Sequence, residues 1–199
     1  VTKEPATQDG RQLGGLAADH GLRVEALHAP FLLITRRVFG VDPIQKIYRT
    51  VHLAEEVGAS LVVVHPPFRW QRDYRRWLEE RGRAYALMVP NTHAVRYQDR
   101  RQTVAKLAER PPDGAWRTVT SGPREDQQVW ACLPLSEQTA PGMRRWLLIR
   151  RDGGDGDDLR FFLACGAEVT SEAELLRVCR VRWQIEECFA QAKGEVGLD

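Results

Sequence analysis

In the run CRVRWQIEECFAQAKGEVGLD, Arg182, Glu186 and Lys193 stand at i, i+4 and i+11. At 3.6 residues per turn these positions fall along roughly one helix face, so a carboxylate is held between two cations. Leu176, Cys179, Trp183 and Phe189 or Ala190 supply apolar neighbours. Two chemistries fit this spacing. One is an exposed ion pair worth a few tenths of a kcal/mol (about 0.3–0.5). The other is a carboxylate that binds a divalent metal beside cations that hold phosphates. Far upstream, His28 and His65 each close a β-type run, LRVEALH and ASLVVVH, and so stand at the C-terminal ends of two candidate strands.

The elements that must position these residues follow from the patterning. DPIQKIYRTVHLAEEVG sets Ile44, Ile47, Tyr48, Val51 and Ala54 at helical spacing behind an Asp-Pro start. With the strands on either side it predicts a βαβ unit with parallel strands. GRQLGGLAADHGL predicts a short helix before it, and residues 1–10 a loose tail. YRRWLEERG predicts a helix with a glycine stop, RAYALMVP a strand, and RRQTVAKLAERP a short helix ended by prolines. AWRTVTSG, QQVWACLPL, RRWLLIRRD and LRFFLACG then predict four strands, separated by Gly, Pro and Asp clusters. The tract DGGDGDD predicts a turn or mobile loop; it lacks the ligand spacing of a calcium loop. TSEAELLRVCRVRWQIEECFAQAKGEVG predicts the strongest helix, opened by a capping box of Ser171 and Glu174. The fold class expected is α/β of mixed α+β character.

The run RWQIEECFAQAKGEVGLD resembles the last catalytic segment of insertion-sequence DDE transposases, the RNase H-like group whose β-strand insertion domain precedes the final Glu. In that family the helix carries an aromatic, then Arg, Glu and Lys at fixed intervals, matched here by Arg182, Glu186 and Lys193. Cys179 stands where the aromatic is usual, which weakens the DNA contact expected of that position. The resemblance runs from about Tyr74 to Asp199: RRWLEERGRAYALMVP is similar to the helix and strand after the family's second Asp, and the four-strand region to its insertion domain. It implies a partial RNase H-like sheet over 74–199, with a β-rich insertion at 113–166 and the Glu-bearing helix at 170–196. It also implies phosphoryl transfer with two divalent metals, Mg²⁺ or Mn²⁺, on two Asp and one Glu. Glu186 would be the third ligand, Lys193 a contact to transposon-end phosphate, Arg182 a phosphate or Glu-orienting group, and Trp183 a further nucleic-acid contact. The implied partner is transposon-end DNA, with an oligomer allowed.

The two Asp are not found. Aligned backwards from WLEERG, the family's second Asp strand falls on LVVVH, which puts His65 in place of an acid, while Asp73 reads as a helix cap. The family continues where this chain stops at GLD, so strand transfer by this chain alone is not expected. Residues 1–73 resemble something else. VEALHAPFLLI, the helix with LAEEVGAS, and LVVVHPPFRWQ are similar to sugar phosphate isomerases and epimerases of the xylose-isomerase-like TIM-barrel group, in which His28 and His65 match positions that bind a divalent metal in some relatives. The plain alternative is that each His closes a strand end or touches sugar without metal. A barrel needs eight strands and about two are visible. The expectation is therefore a chimera of an isomerase-like fragment and a transposase remnant, inactive in transposition; the alternatives are an assembly or gene-calling artefact, an isomerase-like fragment, or a non-catalytic DNA-binding or decaying protein. One compact fold would result if residues 61–65 paired beside 84–89, with helix 42–57 covering one face.

Composition bounds these readings. In 199 residues, 43% are hydrophobic and 28% charged, which is enough for one good core or two small ones. A formal net charge of +2 makes no global demand for nucleic acid, so only local patches such as RWQRDYRRWLEERGR and MRRWLLIRR supply basic character. The four cysteines form no C-x-x-C pair, which argues against a zinc ribbon or redox motif and for reduced, part-buried thiols. No apolar run is long enough to cross a bilayer, and the expectation is a cytoplasmic protein without a membrane partner.

Overall fold

A computed structural model describes residues 10–29, 43–64, 71–121, 126–151 and 158–181. The chain divides into two compact units, Val1–Arg72 and Asp73–Asp199. It is a mixed α/β protein with a five-stranded antiparallel sheet and two small two-stranded sheets, and no barrel closes among the described residues.

The first unit contains α1 (Gly10–Asp19), β1 (Ala26–His28), α2 (Pro43–Val57) and β2 (Leu61–Val63). The strands pair in parallel, Ala26 with Leu61 and His28 with Val63, as a right-length crossover helix allows. Helix α2 buries Ile47, Thr50 and Ala54, one stripe at spacings of three and four. Helix α1 crosses it through two glycines. A Cβ on Gly10 would stand 2.7 Å from Leu53 Cδ1, and one on Gly14 would stand 2.9 Å from the Val57 carbonyl oxygen. Only a residue without a side chain lets the helices approach so closely.

The second unit is built on the sheet. Its strands are β3 (Tyr85–Val89), β6 (Trp116–Ser121), β7 (Asp126–Pro134), β8 (Met143–Arg151) and β9 (Leu159–Ala167), in the order β3-β9-β8-β7-β6. Residues 146–150 of β8 and 161–166 of β9 are buried without alternation, so both faces of the sheet centre are covered. On one face Trp130, Trp146, Leu148, Phe162 and Ala164 form a core with Leu175, Leu176 and Cys179 of α5, which is helical over residues 172–181 of the described chain. Arg150 shares this face by register: it lies opposite Trp130 and Arg160, is 5% exposed, and holds its guanidinium 5.8 Å from the Trp130 ring. The other face carries Tyr85, Leu87, Val89, Arg145, Leu147, Ile149, Phe161, Leu163 and Cys165.

Between β3 and β6 lies a hairpin of β4 (Ala94–Tyr97) and β5 (Arg100–Thr103), followed by α4 (Val104–Glu109), whose cap Thr103 accepts from the Lys106 amide at 3.3 Å. The expected helix in RRQTVAKLAERP thus begins four residues late. The hairpin partner YQDR turns the chain first, with Gln98 and Asp99 both at positive φ (47° and 61°), as a two-residue type I′ loop requires. Neither residue is the Asn or Gly that advertises such a turn.

One expectation is corrected. Residues 61–63 pair with 26–28, and 85–89 pair with 161–165 of β9, so Leu61–Val63 does not pair with Tyr85–Val89. The cause is local: α2 returns the chain directly onto β1, and β9 offers β3 a full five-residue antiparallel ladder. Helix α3 (Gln71–Glu79) has Asp73 exposed in its first turn, where a carboxylate favours the helix dipole; it is not the cap residue itself.

Candidate functional site

The residues singled out by sequence divide sharply. Arg182, Trp183, Glu186, Lys193 and His65 lie outside the described residues. His28 is the last residue of β1 and is half-buried. Among the described residues, no three His, Cys, Asp or Glu side chains gather into a group that could hold a metal. The described residues therefore do not make up the two-metal site that the resemblance implies.

Helix α5 is well defined where it is described. Ser171 Oγ accepts from the Glu174 amide at 3.2 Å, which is the first half of the expected capping box. The second half is not made, because the Glu174 carboxylate turns forward to Arg177 (2.7 and 2.8 Å). The hydrogen bonds from Arg177 hold the Glu174 carboxyl below the usual carboxylate range. Leu175, Leu176 and Cys179 are 5–6% exposed and bind the helix to the sheet. Burial, then the neighbouring Cys132, pushes the Cys179 thiol up to about 12, so it acts as an apolar filler.

A polar cluster that sequence reasoning missed lies on the opposite sheet face. Arg145 of β8 donates from Nε (3.0 Å) and Nη2 (2.9 and 2.7 Å) to the Glu79 carboxylate of α3, and from Nη1 to Glu137 Oε2 at 2.6 Å. The Tyr85 hydroxyl donates to Glu79 Oε1, and Glu137 Oε1 accepts from the Arg96 amide at 3.2 Å. Helix α3, strands β3 and β8, the segment at 137 and the hairpin are thus tied through one guanidinium. Burial raises the Glu79 carboxyl, but the hydrogen bonds from Arg145 and Tyr85 and the charges of Arg145 and Arg75 outweigh it, and the group sits below its ordinary value. Burial and the donated hydrogen bond push the Tyr85 hydroxyl far up. Nearby, Arg75 Nη1 lies 3.4 Å from His93 Nε2, and burial followed by the Arg75 charge keeps the imidazole neutral to lower pH than usual.

Chemically the cluster is a tie. Glu79 meets Arg145 through both oxygens, and the guanidinium and the Tyr85 hydroxyl hold it ionised with a lowered pKa, which makes it a weak general base. A signal for it was present in MRRWLLIRR, since Arg145 has the same parity as Leu147 and Ile149 and must point to the same face. A strand with an inward Arg demands carboxylates opposite.

No family model matches the chain, and no solved structure matches it. The chain is 49% identical over 74 residues to an uncharacterized protein of Mycobacterium leprae (strain TN), and at the same identity and length to uncharacterized proteins of Mycobacterium bovis and Mycobacterium tuberculosis (strain H37Rv). The match covers 37% of this chain and 26% of each relative. The chain therefore spans about a quarter of the length of these curated relatives.

Proposed function

We propose that this chain is a composite in which residues 73–199 derive from a DDE transposase of RNase H-like fold and bind DNA without performing strand transfer, while residues 1–72 derive from a TIM-barrel sugar phosphate isomerase or epimerase. The observation that carries the first half is the join between sheet and helix. Four consecutive antiparallel strands lead straight into α5, and α5 is anchored to the sheet by Leu175 and Cys179. In the sequence Arg182 and Glu186 follow Cys179 by three and seven residues, the spacing by which the run resembles a Glu-bearing helix after an insertion domain. The second half is supported by the parallel β1-α2-β2 unit with His28 at the end of its first strand. An identity of 49% confined to 74 residues supports a chain assembled from parts.

A carboxylate triad is the requirement for two-metal phosphoryl transfer. This sequence matches the Glu of that triad and has His65 where the second Asp is expected. Divalent metal, when held by such a triad, activates the attacking oxygen and stabilises the leaving one; a single carboxylate leaves both roles unfilled.

The test uses the full chain with supercoiled plasmid and Mg²⁺ or Mn²⁺, and separately with duplex DNA in chelator. Salt-sensitive binding without nicking is the expected result. Nicking that Glu186→Ala abolishes would restore the chain to catalysis and overturn the inactive assignment. Binding that ignores salt, or no binding, would remove the transposase-derived DNA-binding reading.

A further inference from the structure

We infer that the β4-β5 hairpin is a DNA-contacting ribbon, with Arg96 and Arg101 as a phosphate clamp; this rests on the DNA-binding reading above and names the surface that carries it. The starting point is an arrangement that folding alone does not favour. Arg96 and Arg101 are directly opposite each other across the ladder, both exposed, and like charges so placed destabilise a strand pair. Arg100 follows on the next position, and Lys106 and Arg110 are exposed on and just after α4. Residues 94–110 thus carry five cations against two carboxylates, Asp99 and Glu109, in a chain that is otherwise near neutral. The guanidinium groups of Arg96, Arg100 and Arg101 have no carboxylate partner among the described residues; in this segment only the Arg96 amide, not its side chain, meets Glu137. Glu79 and Glu137 are paired with Arg145, Glu172 with Arg117 and Glu174 with Arg177.

The shape fits the charge. The hairpin is a two-stranded sheet of its own, bonded to no other strand among the described residues. Its base is fixed by the backbone amides of Val104 to the His93 carbonyl and Ala105 to the Asn91 carbonyl, and the backbone of Arg96 near the turn is held by Ser136 N donating to the Arg96 carbonyl and the Arg96 amide donating to the Glu137 carboxylate. Val95, 1% exposed, anchors the inner face, which leaves Ala94, Arg96 and Arg101 on the outer one. A two-stranded ribbon of this kind enters a duplex major groove about 12 Å wide, and four residues per strand reach about 13 Å. Tyr97, half-buried, and Arg100 pair across the ladder and fall by alternation on Val95's face, beside the clamp but not on it. The partner that relieves the Arg96–Arg101 repulsion is a polyanion with closely spaced, fixed charges, which is duplex DNA.

The experiment is fluorescence anisotropy of a mixed-sequence duplex against salt, with the full chain and the variant Arg96→Gln/Arg101→Gln. Removing one phosphate-binding cation makes the slope of log K on log salt shallower by about 0.9, so the double variant is expected to be shallower than wild type by about 1.8 and to bind at least about tenfold more weakly at low salt. Arg23→Gln, in the other unit, is the control and keeps the wild-type slope. Thermal unfolding of the double variant stays at or above wild type, since a repulsion is removed, and this separates weakened phosphate binding from impaired folding. A wild-type slope retained by the double variant overturns the hairpin while leaving DNA binding intact. No wild-type binding overturns both readings. Competition by polyglutamate at equal charge concentration, as effective as duplex, overturns DNA as the partner in favour of an acidic protein.

Discussion

Removing the Glu79 charge tests the largest polar commitment in the described structure. Glu79 and Arg145 side chains are 12% and 20% exposed and share three hydrogen bonds of 2.7–3.0 Å. Breaking a buried pair by removing one partner costs about 3–5 kcal/mol, and the residual exposure places this pair near the lower end. Glu79→Gln keeps an acceptor oxygen for Arg145 and Tyr85, so about 2 kcal/mol is expected. Arg145→Met leaves Glu79 and Glu137 both unpaired, and about 3–4 kcal/mol is expected. The double variant should cost less than the sum by about 1.5 kcal/mol, because the second change removes a charge already stranded by the first. Urea unfolding read by the buried Trp130 and Trp146 measures all three. The pH dependence follows the sign of the Glu79 shift. A folded pKa below the unfolded one gives stability that is complete above the ordinary carboxylate range and is lost as pH falls through the folded value. Wild type must therefore lose more stability than Glu79→Gln on acidification below about pH 4.5. A coupling under about 0.5 kcal/mol, or equal acid sensitivity in the two proteins, would refute the assignment of this cluster as the unit's main tie.

Replacing Gln98-Asp99 by Asn-Gly relieves two non-glycine residues at positive φ and should raise the unfolding free energy by about 1 kcal/mol, measured by the same urea titration. Burial pushes the thiols of Cys132 and Cys179 up to about 12 and of Cys165 up to about 11, so peptide mapping after alkylation near neutral pH should find these three labelled about a hundredfold more slowly in the native than in the unfolded chain. Ser171→Ala removes the acceptor of the Glu174 amide and should cost about 1 kcal/mol by urea unfolding, whereas Glu174→Gln, which loses only an exposed pair with Arg177, should cost a few tenths (about 0.3).

The elements legible in the sequence were those whose signal is local. The β-branched and aromatic runs of β6 to β9 sit between Gly, Pro and Asp clusters, and the parallel pair around α2 follows from a helix-length crossover. What could not be read was pairing over distance. Leu61–Val63 looks as fit to join a five-stranded sheet as Tyr85–Val89, and only the competition for β9 separates them. The hairpin was missed because Gln98-Asp99 lacks turn residues and RYQDRRQT is too polar to show alternation. The polar cluster was missed because its members come from positions 79, 85, 137 and 145, and a carboxylate on an amphipathic helix such as YRRWLEE reads as a solvated face until the strand Arg it meets is known.

Cys179 shows how the two kinds of information meet. By resemblance this position carries an aromatic that reaches DNA; in this chain it is 5% exposed in a core with Trp130, Trp146 and Phe162. Three large rings already fill the space on the sheet side, so a fourth at this position would overpack the core and push the helix away from β8 and β9. A small, soft side chain lets α5 close onto the sheet through Leu175 and Leu176 as well. Cys179 thus serves inward anchoring, where the proposed transposase ancestry would call for an outward stacking ring. On the proposed reading, DNA contacts by this chain would be phosphate contacts that salt weakens, and the hairpin with its opposed arginines is the place inferred for them. If the proposed DNA binding is right, a strongly salt-dependent profile is the expected result, and a flat one would refute it.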